Sequence, residues 1–264
     1  METAGMPDTV QRAVSIVIVV LGIGLVAGLN ALVLLAAQRS PLDRTRRMLL
    51  VGLAGAFLVS WLGTAMMVGA GPAVQPRSNE LGLPFNLLIG FGPMFVAIAV
   101  LLASRTARAV NAAIPPTWLV WAQTYRVVGL IFLYPYLYYG MLPAEFALPA
   151  GAGDFLTGAL APFVANAIAQ RRRHALAWAI AWNVFGILDL IVAPVAAVLS
   201  GAMLITAYPL SLVPLFIGPP VGILTHVYSL HNLARGSFLS AVTTGSSGTG
   251  TSRAGTVRGR LQAT

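Results

Sequence analysis

Read from its first residue, the chain alternates long runs almost free of charge with short stretches where arginine, proline and glycine collect. To cross a bilayer as a helix, a run must cover about 30 Å of hydrocarbon at about 1.5 Å per residue. Seven runs meet that need: 13–37, 48–71, 84–104, 117–140, 149–170, 175–199 and 209–230. The pattern therefore predicts an all-α membrane protein, a bundle of about seven transmembrane helices occupying residues 13–235. Within the seventh run, Pro214, Gly218, Pro219 and Pro220 each weaken a continuous helix, and a kink or break is expected near Gly218. Beyond it, residues 236–264 turn to Ser, Thr, Gly and Arg, a composition that cannot bury enough apolar surface to order itself. They read as a disordered cytoplasmic tail.

The placement of arginine sets the expected orientation. Arg39, Arg44, Arg46 and Arg47 lie between the first two runs, Arg105 and Arg108 follow the third, Arg171 to Arg173 follow the fifth, and Arg235, Arg253, Arg258 and Arg260 follow the seventh. With seven crossings all of these fall on one side, while the other side holds only Arg12 and Arg77. Basic loops stay in the cytoplasm, so residues 1–12 become a short extracytoplasmic N-terminus and the C-terminus is cytoplasmic. Residues 1–12 carry Glu2 and Asp8 against Arg12 and lack the basic start of a secretory signal, so the first run is expected to stay in the membrane.

Composition narrows the chemistry. Hydrophobic residues make up 58% of the chain and charged residues only 9%, too few to cover a soluble core of this size. There is no cysteine, which removes disulfide and thiolate chemistry, and no lysine, since all 16 basic residues are arginine. A seven-helix bundle invites comparison with retinal proteins, but without lysine neither retinal nor pyridoxal phosphate has an amine to attach to. The arginine bias resembles a GC-rich bacterial genome, and the expected location is the bacterial cytoplasmic membrane.

Four ionisable residues fall inside the runs: Arg126, Asp154, Asp189 and His226. A lone charge at mid-bilayer costs at least about 2.5–3.5 kcal/mol, so each must face inward and find a partner. Counted from the cytoplasmic end, Arg126 lies about 13 Å deep and Asp189 about 21 Å, a gap that an arginine side chain spans. That pair is the expected buried ion pair. Asp154 follows Gly151-Ala152-Gly153 and reads as a cap on the start of the fifth helix, accepting from the amides of residues 155–157. His226 reads as a partner for a carbonyl of the kinked helix. Gln123, three residues before Arg126, and Asn183 join the candidate ligand-binding or proton-linked set, with Asn166, Tyr125 and Tyr134 as further intramembrane polar groups. Tyr136, Tyr138 and Tyr139 would open such a pocket outward or form an interfacial belt. Gly24 with Gly28, and Gly158 with Ala161, Pro162 and Ala165, mark expected helix contacts.

No metal site is predicted. Histidines occur only at 174, 226 and 231, and the last two, five residues apart, point to different faces of a helix. Gly151-Ala152-Gly153-Asp154 resembles the GxGD tetrapeptide of intramembrane aspartyl proteases, a likeness that implies Asp154 and Asp189 as a catalytic carboxylate pair. Here the GxGD aspartate comes first rather than second, and the Pro-Ala-Leu element of the presenilin-like branch is missing.

A longer likeness covers residues 125–190, about a quarter of the chain. Tyr125-Arg126 with Gly129, Leu142-Pro143, the run from Phe146 to Gly151, Gly153-Asp154, the run from Arg171 to Trp178, and Asn183, Gly186 and Asp189 together resemble a pattern in uncharacterised bacterial multi-pass membrane proteins. That group has no assigned activity, so the resemblance implies placement and not mechanism. The leading expectation is a non-enzymatic membrane protein whose polar cluster binds or moves a small solute or a proton. A membrane-embedded aspartyl hydrolase and a structural or accessory subunit are the alternatives. No cofactor, metal or nucleic acid is expected; the partners are the lipid bilayer and a small solute or proton, with the oligomeric state open.

Overall fold

The structure, a computed structural model, describes residues 7–71, 83–202 and 208–234, with the side chains of 83–87 left aside. The expected tail, 236–264, lies outside the described residues. Among the described residues there is no strand. Helices run α1 (Asp8–Arg39), α2 (Arg44–Ala70), α3 (Leu83–Ala103), α4 (Arg105–Ala112), α5 (Pro116–Trp121), a 3₁₀ segment (Ala122–Phe132), α6 (Leu133–Tyr139), α7 (Ala144–Ala169), α8 (Ala175–Ser200), a π-helical turn (Val213–Ile217) and α9 (Pro219–Ala234). Five spans are long and apolar enough to cross a membrane, and a sixth is added if α3 and α4, bent by 91°, count as one. Large apolar side chains such as Met67 and Leu199, about four-fifths exposed, cover the outer surface, as lipid contact requires. This is a multi-pass, all-helical membrane protein.

Local chemistry sets the boundaries. Asp43 caps α2 by accepting from the Arg46 amide at 2.9 Å, and Ser104 caps α4 by accepting from the Ala107 amide at 3.2 Å, where the chain turns. Gly140 and Gly201, at φ +60° and +66°, end α6 and α8 in the left-handed conformation that glycine adopts without a Cβ clash.

Three expectations change. The run 117–140 is not one α-helix but α5, the 3₁₀ segment and α6 in succession. The fifth helix begins at Ala144 rather than Pro149, because Pro143 supplies its N-cap and Pro149 is accommodated inside it. Asp154 is therefore mid-helix and caps nothing. Gly24 and Gly28 mark no contact within the chain: a Cβ at either would have nothing within 4 Å, because that face of α1 is turned outward.

The break near Gly218 is present, and its satisfaction explains the core around it. Pro219 has no N–H to offer the Leu215 carbonyl four residues back. Trp61 on α2 supplies one instead: its Nε1 donates to Leu215 O at 3.2 Å and to Ile89 O at 3.0 Å. Tyr125 donates its hydroxyl to Ile217 O at 2.8 Å. Irregular backbone at membrane depth persists only with such protein partners. Around it Ile18, Trp61, Met94, Leu215, Phe216 and Val221 form the largest apolar core. The π turn and α9 are thus the central post, 72% buried across their most apolar window, with the 3₁₀ segment, α7 and α8 wrapped on one side.

Candidate functional site

The 3₁₀ segment builds the site. At 3.0 residues per turn, side chains three apart stand directly above one another. Gln123, Arg126, Gly129 and Phe132 follow that spacing, and all four are buried. An α-helix would swing each of them about 60° from the last. The 3₁₀ geometry instead keeps one straight row facing α7, α8 and α9.

Arg126, 2% exposed, lies at the centre and uses each of its nitrogens. Its Nε donates to Asp154 Oδ1 on α7 at 2.6 Å, and its Nη2 donates to Asp189 Oδ2 on α8. Its Nη1 reaches Gly186 O at 3.3 Å and lies 3.2 Å from His226 Nε2 on α9. One guanidinium thus joins three helices. The two carboxylates keep a small opening, with 15% and 9% of their side chains accessible against 1% for the arginine.

The histidine's state follows from its neighbours. A guanidinium can only donate, so Nε2 of His226 accepts and carries no proton. Nδ1 then bears the hydrogen and donates to Asn183 Oδ1 at 2.9 Å. Asn183 is oriented for this by donating its own amide to Ala179 O at 2.7 Å. The imidazole is neutral, and Trp182 lies against it with ring centroids 5.0 Å apart. Gln123 sits one turn away, donating to Gly222 O at 3.1 Å and to the Thr225 hydroxyl at 2.6 Å.

Glycine makes this closeness possible. A Cβ at Gly129 would overlap Asp154, one at Gly153 would overlap Asp189, and one at Gly186 would overlap His226 while standing 3.1 Å from Arg126 Nη1. One at Gly158 would come 2.6 Å from the backbone nitrogen of Val127. Of the expected small-residue face of α7, Gly158 packs on the 3₁₀ segment beside Arg126, while Ala161 and Ala165 pack with Val120, Ala179 and Trp182.

Five of the six candidate residues, Arg126, Asp154, Asp189, His226 and Asn183, are joined in one hydrogen-bonded set, and Gln123 stands one 3₁₀ turn from Arg126, bonded to Gly222 and Thr225 of α9. Asp154 enters as an ion-pair partner, a role that its assignment as a helix cap had concealed. Asn166 is exposed and bonded to Gln170, outside the cluster. Tyr134 stacks on Tyr138 and Tyr139 at centroid distances of 4.9 and 5.7 Å, also away from it. Sequence reasoning missed the part played by Gly129, Gly153, Gly186 and Gly222. The signal was there in Gly129, Gly153 and Gly186, each three residues or fewer from a charged position on the same run.

Chemically the cluster sets two acids against one base. Both carboxylates are committed to the guanidinium through different nitrogens, whereas an aspartyl hydrolase holds its two carboxylates to each other through a shared proton.

Residues 78–234 match a family described as a domain of unknown function, DUF8737. No curated protein and no solved structure matches the chain.

Proposed function

The chain belongs to the DUF8737 family, whose match covers more than half of its length and every residue of the cluster, and from that premise we propose that the cluster is a proton-binding centre coupled to movement of a small solute. The observation carrying this reading is the charge imbalance. One guanidinium bonds two carboxylates, so with both ionised the centre holds a net negative charge inside the bundle. Leaving such a charge uncompensated costs at least about 2.5–3.5 kcal/mol, and a proton on either carboxyl removes it. The small opening at the carboxylates, against 1% at the arginine, supports exchange with the surroundings. The reading includes a topology of seven crossings in a bacterial cytoplasmic membrane, with the α5–3₁₀–α6 segment as the fourth, the N-terminus outside and the C-terminus cytoplasmic; the arginine asymmetry supports it.

Infrared difference spectra of the protein in lipid, taken between acid and alkaline pH, test the centre. A protonated-carboxyl C=O band is expected at the acid end, lost or shifted in Asp154→Asn or Asp189→Asn. A spectrum that neither substitution alters would remove the proposal.

A further inference from the structure

Seven buried side-chain nitrogens or oxygens have no hydrogen-bond partner among the described residues; three are on Asn30, Arg47 and Thr124, and four, Thr157 Oγ1, Gln123 Oε1, Ser229 Oγ and Asn111 Oδ1, bear on the cluster. The residues of these four are 0%, 1%, 1% and 1% exposed. Buried polar atoms are ordinarily satisfied, and where protein offers nothing, ordered water does so. Thr157 stands three residues after Asp154 on α7, so the two share a helix face. Gln123 is anchored to Gly222 and Thr225 of α9. Ser229 is one turn further along α9. Asn111 of α4 donates to Tyr228 O at 3.3 Å, and Asn232 donates to Asn111 O at 2.8 Å.

The inner face of α9 links Gln123, Ser229 and Asn111, while Thr157 adjoins the centre beside Asp154 on α7. At 100° per residue, Gly222, Thr225, His226, Ser229 and Asn232 fall within a stripe about 120° wide. All five are buried; Val221 and Leu224 stand outside the arc in an apolar core, and Leu233 falls inside it at its end, packed with Val120 and Trp182. From Gly222 to Asn232 the stripe rises about 15 Å, half of a bilayer's hydrocarbon. It ends beside α4, whose first turn carries Arg105 and Arg108, and near the end of α1, where Arg39 lies 4.5 Å over the ring of Trp118. The stripe thus leads from the charged centre to the arginine-rich face.

We propose that a file of water runs along this stripe, held by Thr157, Gln123, Ser229 and Asn111, and carries protons between the arginine-rich face and the Asp154–Arg126–Asp189 centre. The inference rests on the proton-binding reading and gives that centre its route. Each transfer is balanced within the file: a hydronium gives one proton to the next water and becomes water, and the last gives its proton to a carboxylate oxygen.

The chain has no cysteine, so single thiols report without background. Ser229→Cys, Thr157→Cys and Val221→Cys, each in the full chain reconstituted in vesicles, are treated with Ag⁺. They are then unfolded and alkylated with N-ethylmaleimide, and protection is read by mass. Val221 is equally buried but packed in the apolar core, which makes it the control. Ag⁺ is expected to protect the thiols at positions 229 and 157 at least about tenfold faster than the one at position 221, since thiol reactivity follows access and polarity. Positions 229 and 157 reacting as slowly as 221 would overturn the file. The two readings separate cleanly. Reactive thiols without the infrared carboxyl band keep the file and remove the proton centre; the band with inert thiols keeps the centre and removes the file.

Discussion

Replacing Arg126 with glutamine separates the forces at the centre most sharply. The substitution takes the shared cation away from Asp154 and Asp189, and it also strips Gly186 O and His226 Nε2 of a donor. Removing one member of a buried ion pair costs about 3–5 kcal/mol, because the charge left behind stays buried. At about 2–4 °C per kcal/mol for a chain of this size, the melting temperature should fall by about 6–20 °C. Asp154→Asn behaves differently. It leaves one complete Arg126–Asp189 pair and an amide oxygen that still accepts from Nε, and it removes the surplus negative charge. Its cost should stay within about 1 kcal/mol, and Asp189→Asn should match it. The triple change Arg126→Gln, Asp154→Asn, Asp189→Asn leaves no buried charge at the centre and should recover most of the loss. Melting curves of detergent-purified protein, followed by tryptophan fluorescence, read all of these. Two results would refute the reasoning: Arg126→Gln melting with the parent, or either aspartate change costing as much as the arginine change.

Two further outcomes follow from the packing and from the charge pattern. Gly186→Ala drives a methyl into His226 and toward Arg126, and should lower the melting temperature, whereas Gly63→Ala, whose added Cβ meets nothing within 4 Å, should raise stability by about 0.5–1 kcal/mol; parallel melts check the contrast. Alkaline phosphatase fused after residue 264 should be inactive and a fluorescent reporter there bright if the C-terminus is cytoplasmic, and the opposite pair of results would invert the proposed topology.

The helical class, the membrane setting and the break at Gly218 were legible because hydropathy and proline act locally. Meeting Arg126 with Asp189 was also legible, since a charge in hydrocarbon must find its opposite at matching depth. The place of Asp154 was not. Its role depends on where α7 starts, and Pro149 looked like a helix beginning, although a helix capped by Pro143 holds it five residues inside. The 3₁₀ segment was equally hidden. No proline or glycine pair marks its entry at Ala122, and runs of that geometry beyond about four residues are uncommon. What selects it is tertiary: only that pitch puts Gln123, Arg126 and Gly129 in one row against three helices.

That pitch bears on how a proton would be felt. A charge pair built solely to pin two helices needs one acid and one base, and apolar packing often holds them better still. Here a second acid is added, and glycines bring every partner to closest approach, so the arginine has no slack in which to absorb a change. Under the proposed reading, a proton on Asp189 would weaken the Nη2 bond while leaving the Nε bond to Asp154, and so would tip the guanidinium from α8 toward α7. The arginine is carried by the 3₁₀ segment Ala122–Phe132. If its 11 residues relaxed to an α-helix, the segment would shorten by about 5–6 Å and Gln123 would rotate out of line with Arg126. If the centre takes up a proton as proposed, its 3₁₀ mount would convert the protonation of one carboxyl into a displacement of the segment that joins α7, α8 and α9.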